Sequence, residues 1–229
     1  EEGRVDRARL GTPLALTEHG LQRFGERGVP ARRWADQVVD VVFAADHLVV
    51  VSPPDLVSAV SVLGVSGDRV TDVPNGVETD RFRPRQVDVA QRRACFRRWL
   101  VDDPRGADES GVPGSIAYRE SDLDRLLGVD DTTTVFVYVG RFTAAKRVPL
   151  LIEAFARARA RASRPASLLV WGGHPGECAG EHPVVTARRV GSDGVFFAGW
   201  RGHDDLPDGL AACDALVMAS VNDSYPQAP

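Results

Sequence analysis

From Thr134 to Ala219 the sequence alternates short apolar runs with longer stretches whose apolar residues recur at helical spacing, and this limits the possible architectures severely. The runs Thr134–Val139, Leu168–Trp171, Val195–Ala198 and Leu216–Ala219 are short apolar segments without a polar face. Such runs suit parallel strands whose two faces are both covered by helices. Between them, Val148–Ala162 places Leu151, Ala154, Phe155 and Ala158 on one helical face, and Glu181–Val190 and Leu206–Cys213 read as further helices. Four strands with three intervening helices predict a doubly wound parallel sheet.

A second, shorter alternation precedes it. Leu14–Thr17 reads as a buried strand running into Glu18-His19-Gly20, and Arg32–Ala45 as a helix. Leu48–Val51 is an apolar run bounded by Ser52-Pro53-Pro54; Asp55–Leu63 has helical spacing and meets Gly64; Arg69–Val73 is a strand closed by the turn Pro74-Asn75-Gly76. The stretch from Val87 to Thr133 breaks the rhythm. Val89–Val101 is helical, Asp102–Ser115 is rich in Asp, Gly, Pro and Ser without a period, and a short helix follows near Asp122–Leu127. The expected fold is therefore α/β: a pair of Rossmann-type doubly wound parallel sheets, both incomplete. Residues 1–86 fall in the first, 87–133 form a linker with a mobile insertion, and 134–229 fall in the second. Two complete α/β domains need roughly 300 residues. The 229 present read as an internal fragment, expected to be inactive alone.

Composition narrows the function classes. A net charge of -4 argues against a nucleic-acid partner, which selects a basic surplus. The arginines at 92–93, 97–98, 157, 159 and 161 read as a solvated helix face, with a peripheral membrane contact left open. Three dispersed cysteines without CxxC indicate neither a zinc site nor a disulfide framework. No run approaches the roughly 18 apolar residues of a membrane span. A cytoplasmic setting, with the inner face of the membrane open, is the expectation.

The chemistry concentrates where the first strand of the longer alternation meets its helix, at Gly140-Arg141-Phe142-Thr143-Ala144-Ala145-Lys146. Ligands of open α/β sheets sit outside the carboxyl ends of the strands. A glycine there lets backbone approach a ligand, and the next helix offers free N–H groups and a positive dipole end. Arg141 and Lys146 add two cations, so the segment suits a diphosphate, although a plain turn with two surface cations fits the same residues. Asp122-Leu123-Asp124 has the spacing of a metal-binding pair, yet it opens a helix after Ser121, where acidic residues complement the dipole; no metal site is read there. No G-x-G-x-x-G joins a strand to a helix, which leaves dinucleotide redox chemistry unsupported.

Beyond pattern lies resemblance. VFVYVGRFTAAKRVPLLIEAFARA resembles the start of the C-terminal domain in retaining glycosyltransferases of family 4, which have the GT-B architecture. AADHLVVVSPPDLVSAVSVLGVSGDRVTDVPNGVETDRFRP is similar to the end of that family's N-terminal domain, and GVFFAGWRGHDDLPDGLAACDALVMAS to the middle of its C-terminal domain. The resemblance covers roughly Pro13–Pro229 apart from Asp102–Ser115. It implies transfer of a sugar from a nucleoside-diphosphate sugar, UDP- or GDP-linked, to an acceptor hydroxyl with retention of configuration and without metal or other cofactor. The acceptor class stays open among small molecules, polysaccharides and lipid-linked species. Gly140, Arg141 and Lys146 match the donor-diphosphate site, and His19 matches the histidine that faces the donor sugar, so His19, Arg141 and Lys146 are the expected catalytic residues. Gly172 and the turn Gly199-Trp200-Arg201 match the vicinity of the base, which relatives contact at that turn through backbone.

Asp223 and Ser224 match the donor-sugar contact, but relatives carry Glu-Ser-Phe-Gly where this chain has Asp223-Ser224-Tyr225-Pro226. Asp is one methylene shorter than Glu, and Pro226 lacks the N–H that Gly would offer. Those departures keep a non-catalytic nucleotide-sugar-binding relative in play. A GT-B-fold sugar-nucleotide epimerase is the other alternative.

Overall fold

The computed structural model describes residues 15–18, 39–174 and 177–221. The chain forms two compact units, one ending at Val77 and the other running from Glu78 to Val221. Both are α/β with parallel sheets, as the sequence pattern predicts.

In the first unit, strands β1 (Ala15–Glu18), β2 (His47–Val50) and β3 (Val70–Asp72) pair in parallel in the order β1-β2-β3. A helical segment over residues 39–44 leads into β2, and helix α1 (Pro53–Ser61) follows it. Ser52 caps α1, its Oγ accepting from the Asp55 N–H at 3.3 Å and donating to the Asp55 carboxylate at 2.8 Å. Prolines 53 and 54 sit in the first turn, where a missing N–H costs nothing. Val42, Leu48, Val50, Ala59, Val65 and Val70 form the core of this unit.

The second unit carries strands β4 (Thr134–Gly140), β5 (Ala166–Gly172), β6 (Val195–Gly199) and β7 (Ala215–Leu216), all parallel, in the order β6-β5-β4-β7. The chain steps outward from β4 to β6 and returns to the other side of β4. The topological switch point therefore lies between β4 and β7. Side chains alternate between the two faces. Val135, Val137, Leu169, Trp171, Phe196 and Ala198 enter one core, while Tyr138, Leu168, Val170, Val195 and Phe197 enter the other. Helices α4 (Val148–Arg159) and α5 (Pro183–Arg189) cover the second face through Val148, Ile152, Phe155, Val184 and Ala187.

The first face is covered by residues expected to be a linker. Residues 87–133 lie inside the second unit: α2 (Val89–Arg97), its π-helical continuation Arg98–Asp102 and α3 (Glu120–Leu127) pack there together with α6 (Leu206–Ala211). The reason is apolar area. Phe96, Trp99 and Leu100 at helical spacing, with Leu123, Leu126 and Leu127 from α3, are fully buried, and Trp99 lies 4.6 Å from Trp171 between ring centroids. A capping box starts α2: Asp88 accepts from the Gln91 N–H at 2.8 Å while Gln91 Oε1 accepts from the Asp88 N–H at 3.1 Å.

The arginine pairs also differ from a purely solvated face. Arg93 bridges to Asp124 at 2.8 Å and to Glu120 at 3.2 Å, tying α2 to α3. Arg92, only 11% exposed, reaches Asp131 at 3.3 Å and Asp214 at 2.6 Å, and Asp214 in turn accepts from the Val135 N–H at 2.7 Å. Among the described residues no helix is long and apolar enough to cross a membrane.

If residues 87–133 belong to this core, truncating their largest side chain must destabilise the second unit. Trp99→Ala is expected to cost about 3–5 kcal/mol in urea unfolding. A loss below about 1 kcal/mol would return the segment to the status of a tether.

Candidate functional site

The site begins where β4 and β5 end side by side. Gly140 pairs with Gly172, and the approach is close enough that a Cβ on Gly172 would stand 1.9 Å from the Gly140 carbonyl oxygen. With φ at +137°, Gly172 is also in a region closed to other residues. The carboxyl edge is thus bare backbone here, and the Gly173 N–H donates to the Gly140 carbonyl at 3.3 Å.

The loop after β4 is held from below. Tyr138, fully buried, donates its hydroxyl to the Arg141 carbonyl at 2.8 Å. Phe142 turns inward against the edge of the His182 ring, and its carbonyl accepts from the Ala179 N–H at 2.9 Å. With its neighbours anchored, Arg141 is left with a side chain 66% exposed. Its Nη1 lies 2.9 Å from Glu177 Oε1. Lys146, half-buried, closes a short helical turn, Ala144–Lys146, and its N–H donates to the Thr143 carbonyl at 3.0 Å. Arg147 then adopts φ +51° and starts α4, whose first-turn N–H groups lie outside the helix's own hydrogen-bond ladder. On the β7 side, the Val217 N–H donates to Val137 and the Val221 N–H to the Ala145 carbonyl, each at 2.8 Å. The chain beyond β7 therefore runs along the Gly140–Lys146 loop, and both banks of the switch point are in place.

Beside this loop a pocket of about 310 Å³ opens at the carboxyl ends of β5 and β6. Phe142, Gly172, Gly173, His174, Glu177 and Gly199 form its floor and near side, and residues 107–111 form the far wall. Asp108, Glu109 and Glu177 bring three carboxylates to its lining, and among the described residues no Lys or Arg belongs to it. Hydrogen bonds from the Ser110 hydroxyl and N–H hold the Asp108 carboxyl below the usual carboxylate range. Burial pulls the His182 imidazole below its ordinary value, favouring the neutral ring. Trp200 stands at the pocket's margin, half exposed and edge-on to His174 at 5.5 Å.

This arrangement pairs a cationic loop at the switch point with an adjoining acidic pocket. Residues 133–228 match the family model of the glycosyl transferases group 1. Across 238 aligned residues, 97% of this chain, it is 29% identical to D-inositol 3-phosphate glycosyltransferase 2 of Catenulispora acidiphila, and it spans 47% of that protein. A D-inositol 3-phosphate glycosyltransferase of Acidothermus cellulolyticus is 39% identical over 100 residues, 41% of this chain and 22% of that one. Among solved structures, Anabaena HepE in complex with UDP-glucose superposes with a TM-score of 0.63 at 17% identity, over 95% of this chain and 50% of HepE. The chain thus spans about half the length of that curated relative and of that structure.

Within the segment that matches the group 1 family, Gly140, Arg141 and Lys146 lie on one loop at the switch point, while Gly172 and Gly199 line the adjoining pocket. Arg201, expected near the base, has its side chain elsewhere. Its guanidinium is 1% exposed and hydrogen-bonded to the Trp99 and Asp103 carbonyls and the Asp103 carboxylate, so only the backbone of that residue remains for a ligand. His19, Asp223 and Ser224 lie outside the described residues. Sequence reasoning missed Glu177 and the wall at 107–111. Glu177 lies 36 residues from Arg141, and no local pattern announces the pair. Among the described residues no group of three or more His, Cys, Asp or Glu could hold a metal ion.

The Arg141–Glu177 pair is exposed enough to be weak, within about 0.2–1 kcal/mol, and an anion arriving at Arg141 must compete with it. Glu177→Gln is therefore expected to strengthen inorganic pyrophosphate binding about twofold to fivefold in calorimetric titration, with the gain shrinking in high salt. Weaker binding in this variant would instead make Glu177 the group that orients Arg141.

Proposed function

We propose that this chain is the nucleotide-sugar-handling portion of a retaining glycosyltransferase of family 4, moving a sugar from a nucleoside diphosphate to an acceptor hydroxyl. The observation that carries the reading is the placement of Arg141 and Lys146 on the loop between β4 and α4, at the switch point of the sheet. The group 1 match over the same unit and the names of both curated relatives support it. HepE, crystallised with UDP-glucose, supports a nucleoside-diphosphate sugar as donor. The first unit, on this reading, belongs to the acceptor side.

The chemistry follows from where charge develops. When the bond between sugar and diphosphate breaks, negative charge accumulates on the departing diphosphate. Cations and backbone dipoles fixed beforehand stabilise that charge more in the transition state than in the ground state. The loop meets this requirement because Tyr138 and Phe142 anchor the backbone on either side of Arg141. Arginine can hold two phosphate oxygens at once, and lysine adds a point charge. Retention of configuration belongs to the proposal through the family resemblance.

Titrating UDP, GDP and ADP into the chain and into Arg141→Ala tests this directly, with circular dichroism verifying that both are folded. One nucleotide is expected to bind, and the variant to lose about 100-fold in affinity, near 3 kcal/mol. Equal affinities in the two proteins would remove Arg141 from the donor site and the main support for the reading. In the full-length enzyme, nucleotide binding without sugar transfer would favour a non-catalytic relative.

A further inference from the structure

The stretch Asp102–Ser115 falls outside the family resemblance, yet it is fastened to the sheet at the edge where the pocket opens. Gly199 ends β6 with φ +75°, and a Cβ there would lie 2.0 Å from the Arg105 carbonyl oxygen, so loop and strand end are in backbone contact. Arg201 fixes the loop's entry through the Trp99 carbonyl at 2.7 Å and the Asp103 carbonyl and carboxylate. The loop's exit is fixed as well, since the Tyr118 hydroxyl accepts from the Phe197 N–H at 2.9 Å. Gly106 and Ile116 pair as an antiparallel bridge and close the base of the loop. Above that bridge the Asp108 N–H donates to Ser115 Oγ at 2.9 Å, and Arg188 of α5 holds the Glu109 carboxylate at 3.1 and 3.2 Å.

The tip of this loop, residues 107–111, forms the far wall of the pocket. Its side chains offer mainly acceptors: the Asp108 and Glu109 carboxylates and the Glu177 carboxylate line the pocket, Glu109 and Glu177 each with an arginine as partner, and among the described residues no lysine or arginine belongs to the lining itself. A phosphate is unwelcome there. A neutral group carrying N–H and O–H donors is what such a wall selects. A bound nucleoside diphosphate with its phosphates on Arg141 and Lys146 has one such part, the nucleoside.

Resting on the donor-site reading above, we propose that the 107–111 loop is the element that reads the nucleoside end of the donor. Asp108 and Ser110 face the N–H and O–H groups of base and ribose, while Glu109, paired with Arg188, holds the tip in position. The inserted segment then sets nucleotide preference, and the Gly140–Lys146 loop binds the diphosphate that all donors share.

The test compares wild type, the double variant Asp108→Ala/Ser110→Ala and Arg141→Ala in calorimetric titrations with UDP, GDP, ADP and inorganic pyrophosphate. The loop variant is expected to bind the preferred nucleotide about tenfold more weakly. It should also shift the ratio of affinities among the three nucleotides, while its pyrophosphate affinity stays unchanged. Glu109→Gln with Arg188 intact should reproduce part of the change in ratio. Nucleotide binding that is lost in Arg141→Ala but unaltered in the loop variant would overturn this inference and leave the donor site standing. Equal weakening toward nucleotide and pyrophosphate would overturn it too, by placing the loop's effect on the phosphates. If wild type binds no nucleotide, this inference and the donor-site reading fall together.

Discussion

The second unit depends on one buried guanidinium. Arg201 leaves the end of β6 and enters the core, where its planar donors meet the carbonyls of Trp99 and Asp103 and the Asp103 carboxylate, while its face lies 5.6 Å from the Trp99 ring. An arginine is costly to bury, and burial here lowers its pKa, with the Asp103 charge opposing the shift. Part of the cost is offset because two of the acceptors are carbonyls at a helix end, and the Asp103 carboxylate, which also pairs with Arg105 at 3.0 Å, supplies a counter-charge. The last carbonyls of a helix have no intrahelical donor, and Trp99 and Asp103 lie at the end of the α2 continuation. The guanidinium therefore ends a helix, joins the helix layer to the sheet and seats the start of the 102–116 loop.

That constraint explains why residues 87–133 are integral to the unit. An α/β sheet needs helices on both faces, and α4 and α5 supply only one layer. α6 is too short to cover the other alone, so α2 with its continuation and α3 complete it with Phe96, Trp99 and four leucines. Ion pairs between α2 and the segments it touches orient that layer: Arg93 to α3, Arg92 to the residues flanking β4 and β7, and Arg98 to Asp205 at 3.2 Å. Exposed pairs of this kind add little stability individually, but Arg92, only 11% exposed, joins α2 to the segments before β4 and β7 through two carboxylates.

How much of this the sequence discloses depends on the range of each interaction. The strands and helices of the second unit are legible because each rests on a local period, and the Gly140–Lys146 loop is legible because glycine, arginine and lysine lie within seven residues between a strand and a helix. The helical character of Val89–Val101 is visible as well, though the last turn widens into a π-helix from Arg98. Its membership of the core is not visible, because that depends on Trp171 and Arg201, which lie 72 and 102 residues away from Trp99. The 102–116 loop is harder still. Its bonds go to backbone groups of β6 and to Arg188, so composition shows only a stretch without a period. The structural role of the Arg201 side chain is hidden for the same reason: it rests on the positions of the Trp99 and Asp103 carbonyls, about a hundred residues earlier in the chain.

Along the carboxyl edge of the sheet, charge changes sign over a short distance. Arg141, Lys146 and the start of α4 gather positive groups at the switch-point end, and Asp108 gathers acceptors at the β5–β6 end together with Glu109 and Glu177, which are paired with Arg188 and Arg141. Two such poles orient a ligand more strictly than one, because a dipolar molecule bound the wrong way round meets repulsion at both ends. A nucleoside diphosphate has this polarity, with its charge confined to the phosphates. Glu177 belongs to both poles, since it lines the pocket and pairs with Arg141. On the proposed reading, an arriving diphosphate takes over Arg141 and leaves the Glu177 carboxylate facing the nucleoside, so binding one end of the donor readies the acceptor groups for the other.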